Sequence, residues 1–303
     1  MSAARIIPSL QDAVAGALRQ PARMIARDNG FHEAVGIVHD VAASATRLGE
    51  ALGFVIRHHG PVPEGALALW GLPGDAGGHE IVLGHPQAAR GDIRLVQLDG
   101  PPQGLMRDGA QAWDPGGIFD INVRALSGIE PLHLALGRAG FRSASPITSW
   151  DFGALAVREV VENDADGLCC ALMERVSPPL MGYEGLSGPA SWVFNSTQIV
   201  SDFDAARAFY RDVMGWQVVQ ESQWAHENGL NCMGLPLGLA PQIPVWVGVY
   251  QSHGRMEGSV EIIAFDNCGG IDFSAGAPPQ RGWASLRFAV SDLDAWLARV
   301  GGG

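Results

Sequence analysis

The sequence predicts an α+β fold built from one strand–helix–strand–strand–strand unit used several times. Two observations carry this. The first is a recurring spacing. Residues 33–40 (EAVGIVHD), 120–127 (DINVRALS) and 195–202 (NSTQIVSD) each lead into a helical run. A glycine, Gly53, Gly140 or Gly215, follows the last residue of each octet by 13 positions, with an aromatic next: Phe54, Phe141 or Trp216. A fourth octet, 285–292 (SLRFAVSD), opens the same pattern close to the end of the sequence. The second observation is that all four octets alternate with period two, the signature of a strand with two unlike faces. A repeat at fixed internal spacing is one supersecondary module reused.

Each element follows from local chemistry. In the octets, the second, fourth and sixth positions are mostly apolar: Ile121, Val123 and Ala125, or Leu286, Phe288 and Val290. The alternate positions are more polar: Glu33; Asp120, Asn122 and Arg124; Asn195 and Thr197; Ser285 and Arg287. The apolar face should meet the module's own helix, and the polar face should line something wet or something that binds. Asp202 is a good N-cap, because its carboxylate can satisfy helix-start N–H groups. Ala206, Phe209, Tyr210, Val213 and Met214 then fall on one side of the helix, as do Leu293, Trp296, Leu297 and Val300 in the fourth copy. The three glycines suit the left-handed residue that ends a helix.

Strand-like runs broken by turns come next. They are expected at 54–59, 66–72, 79–83 and 93–98 in the first module, and at 141–143, 154–162 and 168–174 in the second. In the third they fall at 216–221, 231–234, 244–250 and 259–265. Asp164, Ala165, Asp166 and Gly167 form a hairpin turn between the last two strands of module two. Segments rich in Gly and Pro at 100–117, 177–190 and 269–282 are linkers.

Composition narrows the class. With 47% hydrophobic and 17% charged residues the chain is globular. A net charge of −12 argues against nucleic acid and anionic membrane surfaces. No apolar run reaches membrane-spanning length, and the N-terminal residues lack a signal-peptide core. The four cysteines, Cys169, Cys170, Cys232 and Cys268, form no CxxC pair. They are expected to be reduced core thiols of a cytoplasmic protein, with Cys169 and Cys170 on opposite faces of a strand. There is no Walker loop, no GxSxG and no HxxxH or HExxH spacing. His226 would serve as a general base only if its loop folded over the site.

The run SDFDAARAFYRDVMGW, with VHDVAASATRLGEALGF and NDADGLCCALMER in support, resembles the vicinal oxygen chelate superfamily of glyoxalases, bleomycin-resistance proteins and extradiol dioxygenases. The resemblance spans roughly residues 31–300. It implies βαβββ modules paired into open, cup-like mixed sheets with helices outside. On that basis residues 1–30 form an N-terminal arm. Residues 31–180 form a first domain (modules 31–100 and 113–177). Residues 191–303 form a second (module 191–267 and a partial module 282–303).

Metal-dependent members place one ligand near the start of the opening strand and another, usually Glu, on the last strand. Those opening positions here are Glu33, Asp120, Asn195 and Ser285, none of them His. On the last strands only Glu261 matches well, since the second module carries Ala171. The resemblance therefore implies Glu33 and Asp120 as metal ligands for a divalent ion (Mg, Mn, Fe or Zn), with Glu33, Asp120 and Glu261 as the catalytic set. The other reading of Glu33 and Asp120 is that they are polar walls of a pocket. Asn122, Asn195, Thr197, Ser285, Arg287 and Trp246 are the expected contacts to a small, largely apolar organic molecule. Trp70, Trp113, Trp150, Trp192, Trp224, Trp246 and Trp283 are many for this length, and several are expected near the cup rims. The expected activity is that of a metal-assisted lyase, isomerase or oxygenase, and the extradiol dioxygenase chemistry is disfavoured because imidazole ligands are missing. The rival is a non-catalytic protein that sequesters its ligand. A homodimer is expected, with no nucleic-acid or membrane partner.

Overall fold

Helix starts follow the predicted grammar in three of the four copies. The computed structural model describes residues 28–300 except 102, 152–154, 227, 267 and 269. Most of the expected N-terminal arm thus lies outside the described residues. Helix α1 (Val41–Leu52) is capped by Asp40, whose carboxylate accepts from the Ala43 N–H at 2.9 Å, and it ends at Gly53 with φ 72°. The third-module helix, α4 (Phe203–Ala208), is capped by Asp202 in the same way and continues as one π-helical turn, Phe209–Val213. Asp292 caps α5 (Leu293–Val300) through the Ala295 N–H at 2.9 Å. The second module departs from the pattern. The cap position of α3 (Ile129–Arg138) is Gly128, with no side-chain bond. The expected cap, Ser127, instead donates its hydroxyl to the Gly188 carbonyl at 3.1 Å. The helix starts one residue later than in the other modules, which leaves the Ser127 hydroxyl outside the cap position.

The strands are β1 (Phe31–Ile37), β2 (Val55–Pro61), β3 (Gly78–Gly84), β4 (Asp92–Leu98), β5 (Ile118–Ala125), β6 (Arg142–Ser143), β7 (Thr148–Asp151), β8 (Ala156–Asn163), β9 (Cys169–Ser177), β10 (Ala190–Ile199), β11 (Gln217–Trp224), β12 (Val245–Gln251), β13 (Ser259–Phe265) and β14 (Gly282–Phe288). Two expected strands are not strands. The 66–72 run is mostly a short helix, α2 (Glu64–Leu69), in which Leu67 packs with Ala66 and Trp70 into the core while Leu69 is exposed. Residues 231–234 form a turn whose amides are held by the Asn231 side chain.

Module pairing is nested, and this corrects the expected domains. One sheet has five strands in the order β14-β1-β4-β3-β2, joining modules one and four. The other has nine, ordered β11-β12-β13-β10-β5-β9-β8-β6 with β7 on β8, joining modules two and three. The division at 180/191 therefore cuts through the nine-stranded sheet, between β9 and β10. Consecutive modules meet through their helices instead. The main core combines Leu48 and Leu52 of α1 with Leu132 and Leu136 of α3, against Ile81 and Ile93 of one sheet and Ile121 and Leu172 of the other. A second core joins Tyr210 and Met214 of module three to Phe288 and Trp296 of module four. Each fully buried Leu, Ile or Phe in these cores contributes about 1.5–3 kcal/mol.

The two inner faces differ. That of the five-stranded sheet is filled by Val35, Ile37 and Val96, with Val62, Leu67 and Met106 packed over them. That of the nine-stranded sheet is left hollow.

Candidate functional site

The nine-stranded sheet carries on its inner face a cavity of about 170 Å³. An apolar cavity of roughly 150 Å³ accommodates benzene, so this one takes a molecule of about one ring. Its floor is one row across three strands. Asp120 on β5 lies opposite Thr197 on β10, and Thr197 lies opposite Glu261 on β13. Adjacent strands are about 4.8 Å apart, which puts Asp120 and Glu261 about 10 Å apart at the backbone with Thr197 between them. Glu159 on β8 and Cys232 complete the acidic wall, the Cys232 thiol lying 3.4 Å from the Glu159 carboxylate. Trp150, Trp224, Phe194, Met233 and Val247 give the cavity its apolar lining.

A polar layer fixes the floor. The Asn122 amide nitrogen lies 3.0 Å from Asp120 Oδ1 and 3.1 Å from both Asn195 Oδ1 and Thr197 Oγ1. Asn195 donates to Ser259 Oγ at 2.7 Å. With partners supplied from within β5 and from β10 and β13, these buried groups escape the desolvation cost of an unpaired polar atom. They also lock the orientation of Asp120, which is 2% exposed.

Burial governs the acid–base character. Loss of hydration pushes Asp120 up to about 7, against hydrogen bonds from Thr197 and Asn122 and with the nearby Glu159 adding to the rise. Burial, then the charges of Glu159 and Asp120, pushes Glu261 up to about 8. Glu159 is also raised by burial. Glu159 and Glu261 are half-buried, and both line the cavity. Two carboxyl groups that titrate near neutrality in one cavity can take and give protons. His226 is 4% exposed, lines the same cavity and lies with its ring centroid 5.2 Å from that of Trp150. Burial lowers its pKa, so it is neutral at physiological pH.

Residues 193–302 match the family model described as the Glyoxalase/Bleomycin resistance protein/Dioxygenase superfamily. Across the whole chain, the solved structure of glyoxalase I from Zea mays superposes with a TM-score of 0.58 at 13% identity, covering 90% of this chain and 78% of that one. A mutant of the same maize enzyme, solved in a tetragonal crystal form, gives 0.53 at 12% identity, over 80% of this chain and 70% of that one. These likenesses are to the fold. The match over residues 193–302 is to the glyoxalase superfamily, and the whole chain shares the fold of glyoxalase I. No curated protein sequence matches significantly.

The superfamily's ligand positions in the module two–three cup are Asp120, Asn195, Ala171 and Glu261. They do not make a metal cage. Ala171 has no donor atom, and Asn195 is committed to Asn122 and Ser259. Among the described residues no group of three or more His, Cys, Asp or Glu converges to hold an ion.

The predicted site residues separate into two groups. Asp120, Asn122, Thr197 and Glu261 come together at the cavity, with Asn195 in the layer beneath. Glu33, Ser285 and Arg287 lie in the other sheet. Glu33 cannot join Asp120 in one metal site. Its carboxylate is held by Arg94, with Nε at 2.6 Å and Nη2 at 3.0 Å, and by Arg287 Nη1 at 2.8 Å. Arg94 in turn binds Glu80, which also pairs with His58 at 3.3 Å. Ser285 sits opposite Val35 on the filled face. Trp246 points away from the cavity: Val245, Val247 and Val249 line it, while the Trp246 indole N–H reaches Asp266 at 3.0 Å and its ring meets Phe203.

Sequence reasoning missed Glu159 and did not name Arg124 as a site residue. Glu159 had a readable signal, a lone acid between Val157 and Val161 on one face of a strand. Glu174, on the neighbouring strand β9, is held in an ion pair with Arg158 at 3.1 Å. Cys169 and Cys170 fall in different clusters, as expected, and all four cysteines are free. No helix among the described residues is long and apolar enough to cross a membrane.

Proposed function

We propose that this protein is an enzyme that moves protons on a small, largely apolar carbonyl compound of about one ring, bound in the module two–three cup. The observation that carries the reading is the pair Asp120 and Glu261, flanking Thr197 on one cavity floor with pKa values of about 7 and about 8. Near neutrality Asp120 is about half ionised and Glu261 is mostly protonated. Asp120 then takes the proton from the carbon beside the carbonyl. The electron pair moves onto the oxygen, which receives the Glu261 proton. The product is the enol tautomer, with no net oxidation. Asn122 holds the Asp120 carboxylate, and the aromatic walls exclude water and orient the ring. The free thiols support a cytoplasmic setting.

The test is solvent deuterium exchange at the benzylic carbon of phenylpyruvate and phenylacetone, followed by proton NMR. The protein should accelerate exchange for at least one of them. Asp120→Asn should reduce the effect by about 10²–10⁴-fold, the span typical of general acid–base groups. Ligand binding with no acceleration would refute the reading and leave a sequestering pocket.

A further inference from the structure

We infer that the cup is built for a carboxylate-bearing ligand, whose anionic group is taken by Arg124 and Arg175. This deepens the proposed acid–base reading, since it rests on the same cup being the working site. Both arginines line the cavity. Arg124, on β5, is 3% exposed. Its guanidinium lies 3.7 Å over the Phe194 ring and contacts Met173 Sδ and the Tyr183 hydroxyl. None of these is an anion, and among the described residues Arg124 makes no salt bridge. The Arg175 side chain, on β9, makes neither a hydrogen bond nor an ion pair among the described residues. The Nε atoms of both side chains are buried without a hydrogen-bond partner.

Other half-buried arginines have fixed oxygen partners: Arg90 donates to the Asn29 and Phe31 carbonyls, and Arg107 to those of Gly116 and Asp114. Arg57, Arg94, Arg158, Arg207, Arg281 and Arg287 are each paired with a carboxylate. A buried, unpaired guanidinium is costly, and two facing the same hollow cost more, because each raises the energy of the other. An arriving carboxylate offsets that cost by accepting from planar N–H donors, the arrangement guanidinium suits best.

The acidic residues in the cup do not favour a cation instead. Burial disfavours the charged form of all three carboxyl groups, Asp120, Glu159 and Glu261, and Glu261, pushed up to about 8, holds its proton near neutrality. The two guanidinium groups therefore share the cavity with a floor on which burial works against negative charge. An aryl-substituted 2-oxo or 2-hydroxy acid matches this division: ring on Trp150 and Trp224, carboxylate on the arginines, reacting carbon near Asp120.

Isothermal titration of the full-length chain with phenylacetate, phenylacetamide and 2-phenylethylamine tests the inference independently of turnover. Phenylacetate should bind at least about tenfold more tightly than the neutral amide, the ratio that about 1.4 kcal/mol of charge-assisted bonding gives. Arg175→Gln should erase that preference while leaving amide affinity within about twofold. Arg124→Met should do the same, with circular dichroism and thermal melting to confirm folding; the half-buried Arg175 supplies the second variant should Arg124→Met not fold. Equal or tighter binding of the amide or the amine, or no binding of phenylacetate at 10 mM (roughly −2.7 kcal/mol at this limit), overturns the inference. Arginine-dependent phenylacetate binding without any proton exchange on phenylpyruvate would retain the carboxylate subsite and remove the acid–base reading.

Discussion

Replacing Glu261 by Gln should make the protein more stable at high pH and leave it unchanged at low pH. In the folded protein Glu261 titrates at about 8, against an ordinary value of 4.5. Between those two values the folded state holds a proton that the unfolded state has released. Stability therefore falls as pH rises through this window, because unfolding is favoured wherever the unfolded state binds fewer protons. The distance from 4.5 to about 8, at roughly 1.36 kcal/mol per pH unit, sets a ceiling of about 5 kcal/mol. Contact of the half-buried carboxyl with the cavity screens that to about 2 kcal/mol. Unfolding entropy of about 2.1 cal/mol/K per residue over 303 residues converts this to about 3 °C in Tm. Thermal melts of the two proteins at half-unit steps from pH 5 to pH 9 are the assay. The variant should match the wild type near pH 5 and exceed it by about 3 °C at pH 9. A variant that tracked the wild type throughout, or melted lower at pH 9, would mean that Glu261 is not a buried acid with a raised pKa.

Glu33→Gln should cost about 1–3 kcal/mol in urea unfolding, by leaving Arg94 and Arg287 short of a carboxylate, yet leave phenylacetate binding unaltered, since Glu33 lies in the filled sheet. Asp40→Ala should lose about 1 kcal/mol of stability by removing the α1 cap, whereas Ser127→Ala should lose less helix stability because Ser127 caps nothing. Leu172→Ala, in the core shared by the two sheets, should destabilise by about 2–5 kcal/mol and, if the helix layer is one cooperative core, should lower a single melting transition rather than split it in two.

The repeat was legible in the sequence because its determinants are local. The cap at Asp40 or Asp202, the glycine that accepts a left-handed backbone, and the alternation of Asp120, Asn122 and Arg124 with Ile121, Val123 and Ala125 all act within a dozen residues. Half the site was legible for the same reason: strand parity turned Asp120, Asn122 and Thr197 to one side, and the family resemblance pointed to Glu261. The failures were longer in range. Nothing local distinguishes the face of β1, which carries Glu33, from that of β5, which carries Asp120. The first is covered by α2 and Met106, the second is not, and only assembly reveals it. Trp246 was misplaced because its strand, unlike the opening strands, has apolar residues on both faces.

By itself, then, the sequence determined the βαβββ unit, its count and the inward polar stripe, since these follow from backbone periodicity and capping. Tertiary structure decided that module two pairs with three and module one with four. It also decided that one sheet face is packed while the other is hollow, and that two arginines without anions share that hollow with acids whose protons are held by burial. Strand pairing and desolvation depend on surfaces brought together from distant parts of the chain, and no local pattern records which surfaces will meet.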